Sequence, residues 1–200
     1  MNNQSLCLQS AKCLLPERNP YGHKGTFGKV LLVCGSKNMV GCCVLAAKGA
    51  LRSGAGLVTV AFPDILYGAL TSQLSETLFM PLETDERGYI SHTTVASLLE
   101  EAQKADVIMV GCGIGKGYAQ TLIVTSLIQL EGKRIILDAD ALNNLADRVD
   151  VLQKAKADIL ITPHPGEMAR LIKKSISQVE ADREKIVAEF AEFYNVNVLL

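Results

Sequence analysis

The chain has 200 residues, 48% of them hydrophobic, and its 20 basic and 21 acidic residues leave a net charge of -1. This length and composition predict one ordinary domain with a sizeable core. The balanced charge gives no reason to expect nucleic acid or a membrane surface as a partner, and no apolar run approaches the roughly 20 residues of a membrane span. The polar segment 1–12 lacks the apolar core of a secretory signal, so we expect a cytoplasmic protein.

The cysteines carry little signal for a metal site. None belongs to a Cys-x-x-Cys pair, and the chain has only 3 histidines. We therefore assign no metal ligand and predict reduced, buried thiols that act as small apolar residues. The six are Cys7, Cys13, Cys34, Cys42, Cys43 and Cys112.

The first half of the chain contains a strand–helix–strand unit. Lys29 to Cys34 is a continuous apolar run typical of a strand buried on both faces. An alanine-rich helix from Gly41 to Arg52 follows, then a strand from Leu57 to Ala61. Such a βαβ unit predicts parallel strands joined by right-handed crossovers.

The flanking segments complete the prediction. Residues 1–14 are expected to be a poorly ordered N-terminal segment. Residues 21–28 are glycine-rich and include His23 and Lys24, which favours either a mobile loop or a flap on the ligand side. A short helix is expected from Pro63. Beyond it we predict helices over 93–104, 119–130 and 179–194, and strands over 77–82, 106–110, 134–137, 158–162 and 196–200.

Four predicted strands end in unusual loops. Because the carboxyl ends of parallel strands share one edge of a sheet, these loops are expected to lie together and to form a binding site. They are Gly35-Ser36, the glycine-rich stretch Gly111 to Gly117, the polar stretch Asp138 to Asn143, and the stretch Thr162 to Glu167.

Each loop also has a structural explanation. The glycines permit either close approach to a ligand or tight strand-to-helix packing. They match neither the dinucleotide fingerprint nor a P-loop. Asp138 and Asp140 could cap the next helix or hold Mg²⁺ through water beside a phosphate. His164 lies between Pro163 and Pro165, which we expect to keep the loop extended and to delay the helix until after Gly166. It is either a ligand contact or a loop residue that satisfies a neighbouring carbonyl.

Taken together and in this order, the motifs resemble those of the NAD(P)H-hydrate dehydratases, a family of the ribokinase-like superfamily. They are His23-Lys24-Gly25-x-x-Gly28, Gly35-Ser36, Ser53-Gly54-Ala55-Gly56-Leu57-Val58, Gly111-x-Gly113-x-Gly115, Asp138-Ala139-Asp140-Ala141-Leu142-Asn143 and Thr162-Pro163-His164-Pro165-Gly166-Glu167. The resemblance runs from about Leu15 to Leu200. It implies a single ribokinase-like α/β domain with a central, mostly parallel sheet and helices on both faces.

The resemblance also implies a metabolite-repair lyase. Family members dehydrate (6S)-NAD(P)H-hydrate to NAD(P)H and consume a nucleotide. The absence of an attached epimerase domain favours the ADP-using type, which gives AMP and phosphate and works with Mg²⁺. A homo-oligomer is expected, and the resemblance allows a separate NAD(P)H-hydrate epimerase as a partner. The alternatives are a ribokinase-like ATP-dependent small-molecule kinase and a non-catalytic nucleotide-binding protein.

The family's site residues are carried over by position. Gly113 and His164 fall where the family contacts the hydrated dinucleotide, and Cys42 stands where an alanine is usual. Gly115, Asp138, Asp140, Asn143 and Glu167 are assigned to the nucleotide and phosphate region. The family's general-base aspartate follows a segment beyond the position of Leu200, so no catalytic residue is assigned. We therefore expect a domain that is incomplete at its C-terminus.

Overall fold

A computed structural model describes residues 17–200; the expectations for residues 1–14, Cys7 and Cys13 lie outside that range. Within it, seven strands form one sheet in the order β3-β2-β1-β4-β5-β6-β7. All six pairings between neighbouring strands are parallel. In chain order the strands are β1 (Lys29–Val33), β2 (Leu57–Pro63), β3 (Leu78–Leu82), β4 (Val107–Val110), β5 (Arg134–Leu137), β6 (Asp158–Ile161) and β7 (Asn197–Val198).

Helices connect the strands and cover the sheet. In the described residues they are α1 (Val40–Arg52), α2 (Tyr67–Thr71), α3 (Val95–Lys104), α4 (Tyr118–Leu127), α5 (Asp140–Leu145), α6 (Pro165–Ile172), α7 (Ile176–Ala181) and α8 (Arg183–Tyr194). Short 3₁₀ helices span Lys24–Phe27, Asp64–Leu66, His92–Thr94 and Val149–Lys154. Within residues 17–200 no helix has the length and apolar character needed to cross a bilayer.

The core lies on both faces of the sheet, which explains the continuous apolar run of β1. Leu31 and Val33 point into a cluster completed by residues of α3 to α8. Leu32 points the other way, with Cys34 just beyond the strand, into a second cluster completed by α1 and α2. The predicted single α/β sheet with helices on both faces is confirmed.

Helices cover the two faces unequally. On the α1 side, Val107 and Met109 of β4 and Ile136 of β5 are only partly buried. Together with Leu32 and Ala50 they line an apolar groove of about 940 Å³. This groove lies on the face of the sheet and not at its carboxyl edge.

The strand order places a crevice at the centre of the sheet. β1 pairs with β2 on one side and β4 on the other, so the crossovers from β1 and β4 lead in opposite directions. Ligands of open α/β proteins bind at such a switch point, outside the carboxyl ends of the strands. The loops after β1 and β4 are therefore the natural starting point of a binding site.

Several predicted boundaries are wrong. The single helix predicted over 179–194 is two helices, because Asp182 has φ -148° and ψ 55° and ends α7 before α8 begins. The strand predicted over 196–200 is reduced to Asn197–Val198. Pro63 ends β2 and starts no helix, since the 3₁₀ turn begins at Asp64.

Residues 21–28 do not form a flap on the ligand side. They precede β1 and therefore lie at the opposite, amino edge of the sheet. Gly56 N donates to Phe27 O and Gly28 O, each at 3.1 Å, just before β2 begins. His23 caps the 3₁₀ helix Lys24–Phe27 by accepting a hydrogen bond from Gly25 N at 3.1 Å. The chain order alone implies this position, because residues 21–28 directly precede the strand predicted from Lys29 to Cys34, and the flap prediction did not take that into account.

Candidate functional site

The four predicted loops lie side by side at the carboxyl edge of β1, β4, β5 and β6, as the sheet order requires. Hydrogen bonds join each loop to the next. Gly35 N donates to Cys112 O at 2.9 Å, which links the loops after β1 and β4. Asp138 accepts side-chain hydrogen bonds from Cys112 and from Thr162, which link the loop after β5 to the loops after β4 and β6. The carboxyl edge is therefore one connected polar surface.

Cys42 closes the crevice between β1 and β4. Its thiol donates to Met39 O at 2.8 Å and to Cys112 O at 3.1 Å. Cys42 is half-buried and stands beside Gly113, one of the other residues predicted to contact the substrate. Cys34 and Cys43 are buried free thiols, as predicted, but the prediction of burial is wrong for Cys42 and Cys112, which are only half-buried.

Gly111 and Gly113 have backbone conformations and surroundings that exclude a side chain. Gly113 has φ +71°, and an added Cβ would lie 2.8 Å from Cys42 Sγ and 2.9 Å from Met39 Cβ. Gly111 has φ +135°, and its Cβ would lie 1.8 Å from Asp138 O. Packing within the fold accounts for both glycines, and ligand approach at Gly113 stays a prediction.

Asp138 follows β5 at the centre of the edge. Thr162 donates its hydroxyl to Oδ1 at 2.9 Å, and Cys112 donates its thiol to Oδ2 at 3.1 Å. Neither bond is to the backbone of the following helix, so the helix-cap alternative is wrong for this carboxylate. Side chains from the two neighbouring strand ends hold it in one orientation at the edge.

Asp140 joins the loop after β4 to the first turn of α5. Its Oδ2 accepts from Gly115 N at 2.9 Å, and its Oδ1 accepts from Asn143 Nδ2 at 3.1 Å. It does not cap α5 either, because the N-cap residue Ala139 has no side-chain hydrogen bond there. Ala139 has φ +50°, an uncommon conformation for a residue other than glycine. The three predicted residues Gly115, Asp140 and Asn143 are thus in direct contact.

Sequence reasoning missed Arg170 in this network. Arg170 lies on α6, and its Nη1 donates to Asn143 Oδ1 at 2.9 Å. The two residues are 27 positions apart, so spacing gave no signal. Only the pairing of β5 with β6 brings α5 and α6 together.

His164 is the N-cap of α6, which begins at Pro165 and not after Gly166 as predicted. Proline fits the first helical position because the backbone N–H it lacks has no partner there. His164 Nδ1 accepts from Gly166 N at 3.0 Å, and the buried Glu167 accepts from His164 N at 2.9 Å. His164 thus satisfies a backbone N–H and no carbonyl. Its side chain is 62% exposed, and its Nε2 lies 3.3 Å from Glu167 Oε1, so a ligand would meet the exposed ring beside that carboxylate.

The residues at this edge fit a magnesium ion only in part. Within residues 17–200 no group of three His, Cys, Asp or Glu side chains is arranged to hold a metal. Mg²⁺ commonly takes one or two carboxylates and completes its shell with water and substrate phosphates. Asp138 and Asp140 could supply that protein contribution, each through a second lone pair.

The Cys112 thiol should be unreactive near neutral pH. Burial, followed by its hydrogen bond to Asp138, raises its pKa from 9.0 to about 12. Since the thiolate is the nucleophile, we expect iodoacetamide at pH 8 to alkylate Cys112 at least about tenfold more slowly in the native protein than in urea. Peptide mass spectrometry measures both rates, and equal rates would contradict the raised pKa of Cys112.

The raised pKa also makes stability depend on pH. The Cys112 thiol loses its proton at lower pH in the unfolded chain than in the folded one, so the contribution of Cys112 to the free energy of unfolding should fall as the pH rises from about 9 to 12.

Comparison with known proteins agrees with this geometry. Residues 30–200 match the family model Carb_kinase, described as NAD(P)H-hydrate dehydratase. The chain belongs to the NAD(P)H-hydrate dehydratase family. It is 37% identical over 199 residues to the bifunctional NAD(P)H-hydrate repair enzyme Nnr of Moorella thermoacetica, covering all of this chain and 38% of that protein. It is 34% identical over 182 residues to the ADP-dependent (S)-NAD(P)H-hydrate dehydratase of Neisseria meningitidis serogroup B, covering 89% of this chain and 57% of that one.

A solved family structure confirms the ribokinase-like fold. The ADP/ATP-dependent NAD(P)H-hydrate dehydratase from Bacillus subtilis, co-crystallised with ATP and Mg²⁺, superposes with a TM-score of 0.76 at 24% identity. The match covers 96% of this chain and 64% of the Bacillus chain. The chain thus spans from about a third to just under two thirds of the family members it matches.

Proposed function

We propose that this chain belongs to a metabolite-repair lyase that dehydrates (6S)-NAD(P)H-hydrate to NAD(P)H at the expense of ADP, giving AMP and phosphate. The observation that carries the proposal is the arrangement of the carboxyl edge. Gly113 and Cys42 lie at the β1–β4 crevice, His164 lies at β6, and Asp138 and Asp140 lie between them. Two strand spacings separate β4 from β6, about 10 Å, a span that a dinucleotide can bridge.

The reaction needs a nucleotide because hydroxide is a poor leaving group. The β-phosphoryl group of ADP moves to the oxygen of the ring hydroxyl, which gives up its proton to water, so that the P–O bond of ADP breaks and AMP leaves. The C–O bond of the phosphorylated ring then breaks, and phosphate departs with the electron pair. The ring nitrogen's lone pair stabilises the cation that remains, and loss of a proton from the adjacent carbon restores NAD(P)H.

The residues of this chain would bind and orient the two ligands. The half-buried Cys42 and the buried Gly113 would bound the hydrated dinucleotide at the crevice, and the exposed imidazole ring of His164, whose Nε2 lies beside Glu167, would contact it from β6. Asp138 and Asp140 would face the phosphates, where Mg²⁺ neutralises charge on the transferring group when bound. We assign no general base among these residues.

Recovery of absorbance at the reduced-nicotinamide band tests the proposal. The full product of the gene is incubated with hydrated NADH, Mg²⁺ and either ADP or ATP. Recovery with ADP supports the reaction and the donor. Recovery with ATP alone would overturn the donor assignment. Binding of hydrated NADH without turnover would favour the non-catalytic alternative, and no binding or turnover by a folded product would overturn the proposal.

Two substitutions separate the capping role of His164 from a ligand role. His164→Ala should lose about 1 kcal/mol of stability because Gly166 N loses its acceptor. His164→Asn should keep most of the stability, since asparagine is a good N-cap. Both should weaken binding of the hydrated dinucleotide by about 1–3 kcal/mol through loss of the imidazole. Thermal denaturation and substrate KM are measured for each; a normal KM in His164→Asn would show that the histidine only caps the helix.

A further inference from the structure

Arg170 has an unusual environment for a surface arginine. It is exposed on the second turn of α6, and its Nη1 donates to Asn143 Oδ1 at 2.9 Å. None of the salt bridges formed within residues 17–200 involves it. The guanidinium is thus held by a neutral amide, and its charge is not paired with a carboxylate.

A chain of hydrogen bonds fixes the amide that holds this guanidinium. Asn143 Nδ2 donates to Asp140 Oδ1 at 3.1 Å, and Asp140 Oδ2 accepts from Gly115 N at 2.9 Å. The relay from Gly115 to Arg170 therefore crosses the loop after β4, the first turn of α5 and the second turn of α6. The orientation of the guanidinium depends on all three elements that carry the candidate site.

A neutral acceptor has a different electrostatic effect from a carboxylate. A carboxylate partner would orient the guanidinium but would also cancel most of its charge. The amide oxygen of Asn143 orients it and leaves the charge available to an anion. Arginine has five N–H donors in a planar fork that matches the oxygens of a phosphate. A single bond to Asn143 leaves most of these donors facing solvent.

The carboxyl edge requires such a positive charge. Asp138, Asp140 and Glu167 place three carboxylates along it, and they repel a phosphate that approaches alone. We propose that Arg170 binds a phosphate group of the nucleotide ligands and that Asn143 is its positioning residue. This inference rests on the proposed function. The phosphate could belong to the nucleoside diphosphate or to the pyrophosphate of the hydrated dinucleotide.

Steady-state kinetics of the full gene product test the proposal and identify the ligand. The variants are Arg170→Gln, which removes the charge, and Arg170→Lys, which keeps the charge but loses the fork. The KM is measured separately for ADP and for hydrated NADH, and ADP binding is also followed by calorimetry. We expect Arg170→Gln to weaken one of the two ligands at least about tenfold, and Arg170→Lys to recover part of the loss. The ligand whose constant changes is the source of the phosphate.

Two further variants distinguish phosphate binding from a structural role. Asn143→Asp places a carboxylate against the guanidinium, so it should weaken the same ligand as Arg170→Gln. Arg183→Gln is the matched control, because it removes an exposed arginine of α8 that pairs with Glu180 of α7. It should leave both KM values unchanged. A melting temperature is recorded for every variant, so that loss of folding is not mistaken for loss of binding.

The outcomes separate this inference from the function on which it rests. If the wild-type protein is active and the folded Arg170 variants keep both KM values, only the role of Arg170 is overturned. If Arg170→Gln lowers kcat and leaves both KM values and ADP affinity unchanged, the residue acts only in the transition state and does not bind a phosphate of either bound ligand, so the proposal is again overturned. If the wild-type protein neither binds nor converts the ligands, the proposed function fails and this inference fails with it.

Discussion

Replacing Gly111 by alanine is expected to remove about 4 kcal/mol or more of stability, or to prevent folding. The added Cβ would lie 1.8 Å from Asp138 O and 2.8 Å from Ala141 Cβ. Backbone atoms at the end of β5 would have to move, and φ +135° is itself unfavourable for alanine. Urea denaturation followed by circular dichroism measures the loss. A decrease of about 1 kcal/mol would show that the edge can relax around the methyl group.

Gly132 and Gly113 provide a graded control for that experiment. Gly132 has φ +70° with no atom within 4 Å of an added Cβ, so Gly132→Ala measures the conformational cost alone, about 1–2 kcal/mol. Gly113 has nearly the same φ, +71°, but its Cβ would meet Met39 and Cys42. Gly113→Ala should therefore fall between the other two variants. If Gly113→Ala lost no more stability than Gly132→Ala, packing against Met39 and Cys42 would not require glycine at position 113.

Asp138→Asn is expected to slow the proposed ADP-driven dehydration by about 10- to 100-fold, the usual range for groups that support a bound metal. The amide keeps an oxygen that can accept from the Thr162 hydroxyl, so stability should change by about 1 kcal/mol or less. The loss of charge should also raise the Mg²⁺ concentration needed for half-maximal rate. Initial rates over a range of Mg²⁺ measure both effects.

Asp106→Asn is the matched control, because Asp106 holds Lys29 N through Oδ2 at 2.8 Å at the opposite edge of the sheet. This substitution also removes a carboxylate that accepts a hydrogen bond within the fold. It should leave the dependence of the reaction rate on Mg²⁺ unchanged. Full activity in Asp138→Asn, or equal losses in the two variants, would show that the charge of Asp138 does not act on the nucleotide.

Continuous apolar segments made the strands predictable. Arg134–Leu137 has the predicted bounds, because Ile135 to Leu137 form an apolar run that fits a strand covered on both faces, while the exposed Arg134 begins the strand and turns bound it on both sides. The common edge of the four loops followed from the parallel arrangement alone. The family resemblance was equally secure, since six motifs in order constrain far more than any one of them.

Other features depend on contacts that a linear pattern does not contain. The break at Asp182 was hidden because Val179, Ile186 and Phe190 remain buried on both sides of it, so the apolar pattern continues. The start of α6 was misplaced because proline was treated only as a helix breaker. Arg170 was missed because its partner is distant in sequence.

The position of β1 at the centre of the sheet has a consequence for synthesis on the ribosome. β1 can pair with β2 once residue 63 has emerged, but its other partner ends at Val110. Until then the nascent chain carries an open strand edge beside the apolar side chains of Leu31 and Val33, and such edges recruit other chains. We therefore expect chaperone binding and aggregation to be greatest for nascent chains from which residue 110 has not yet emerged.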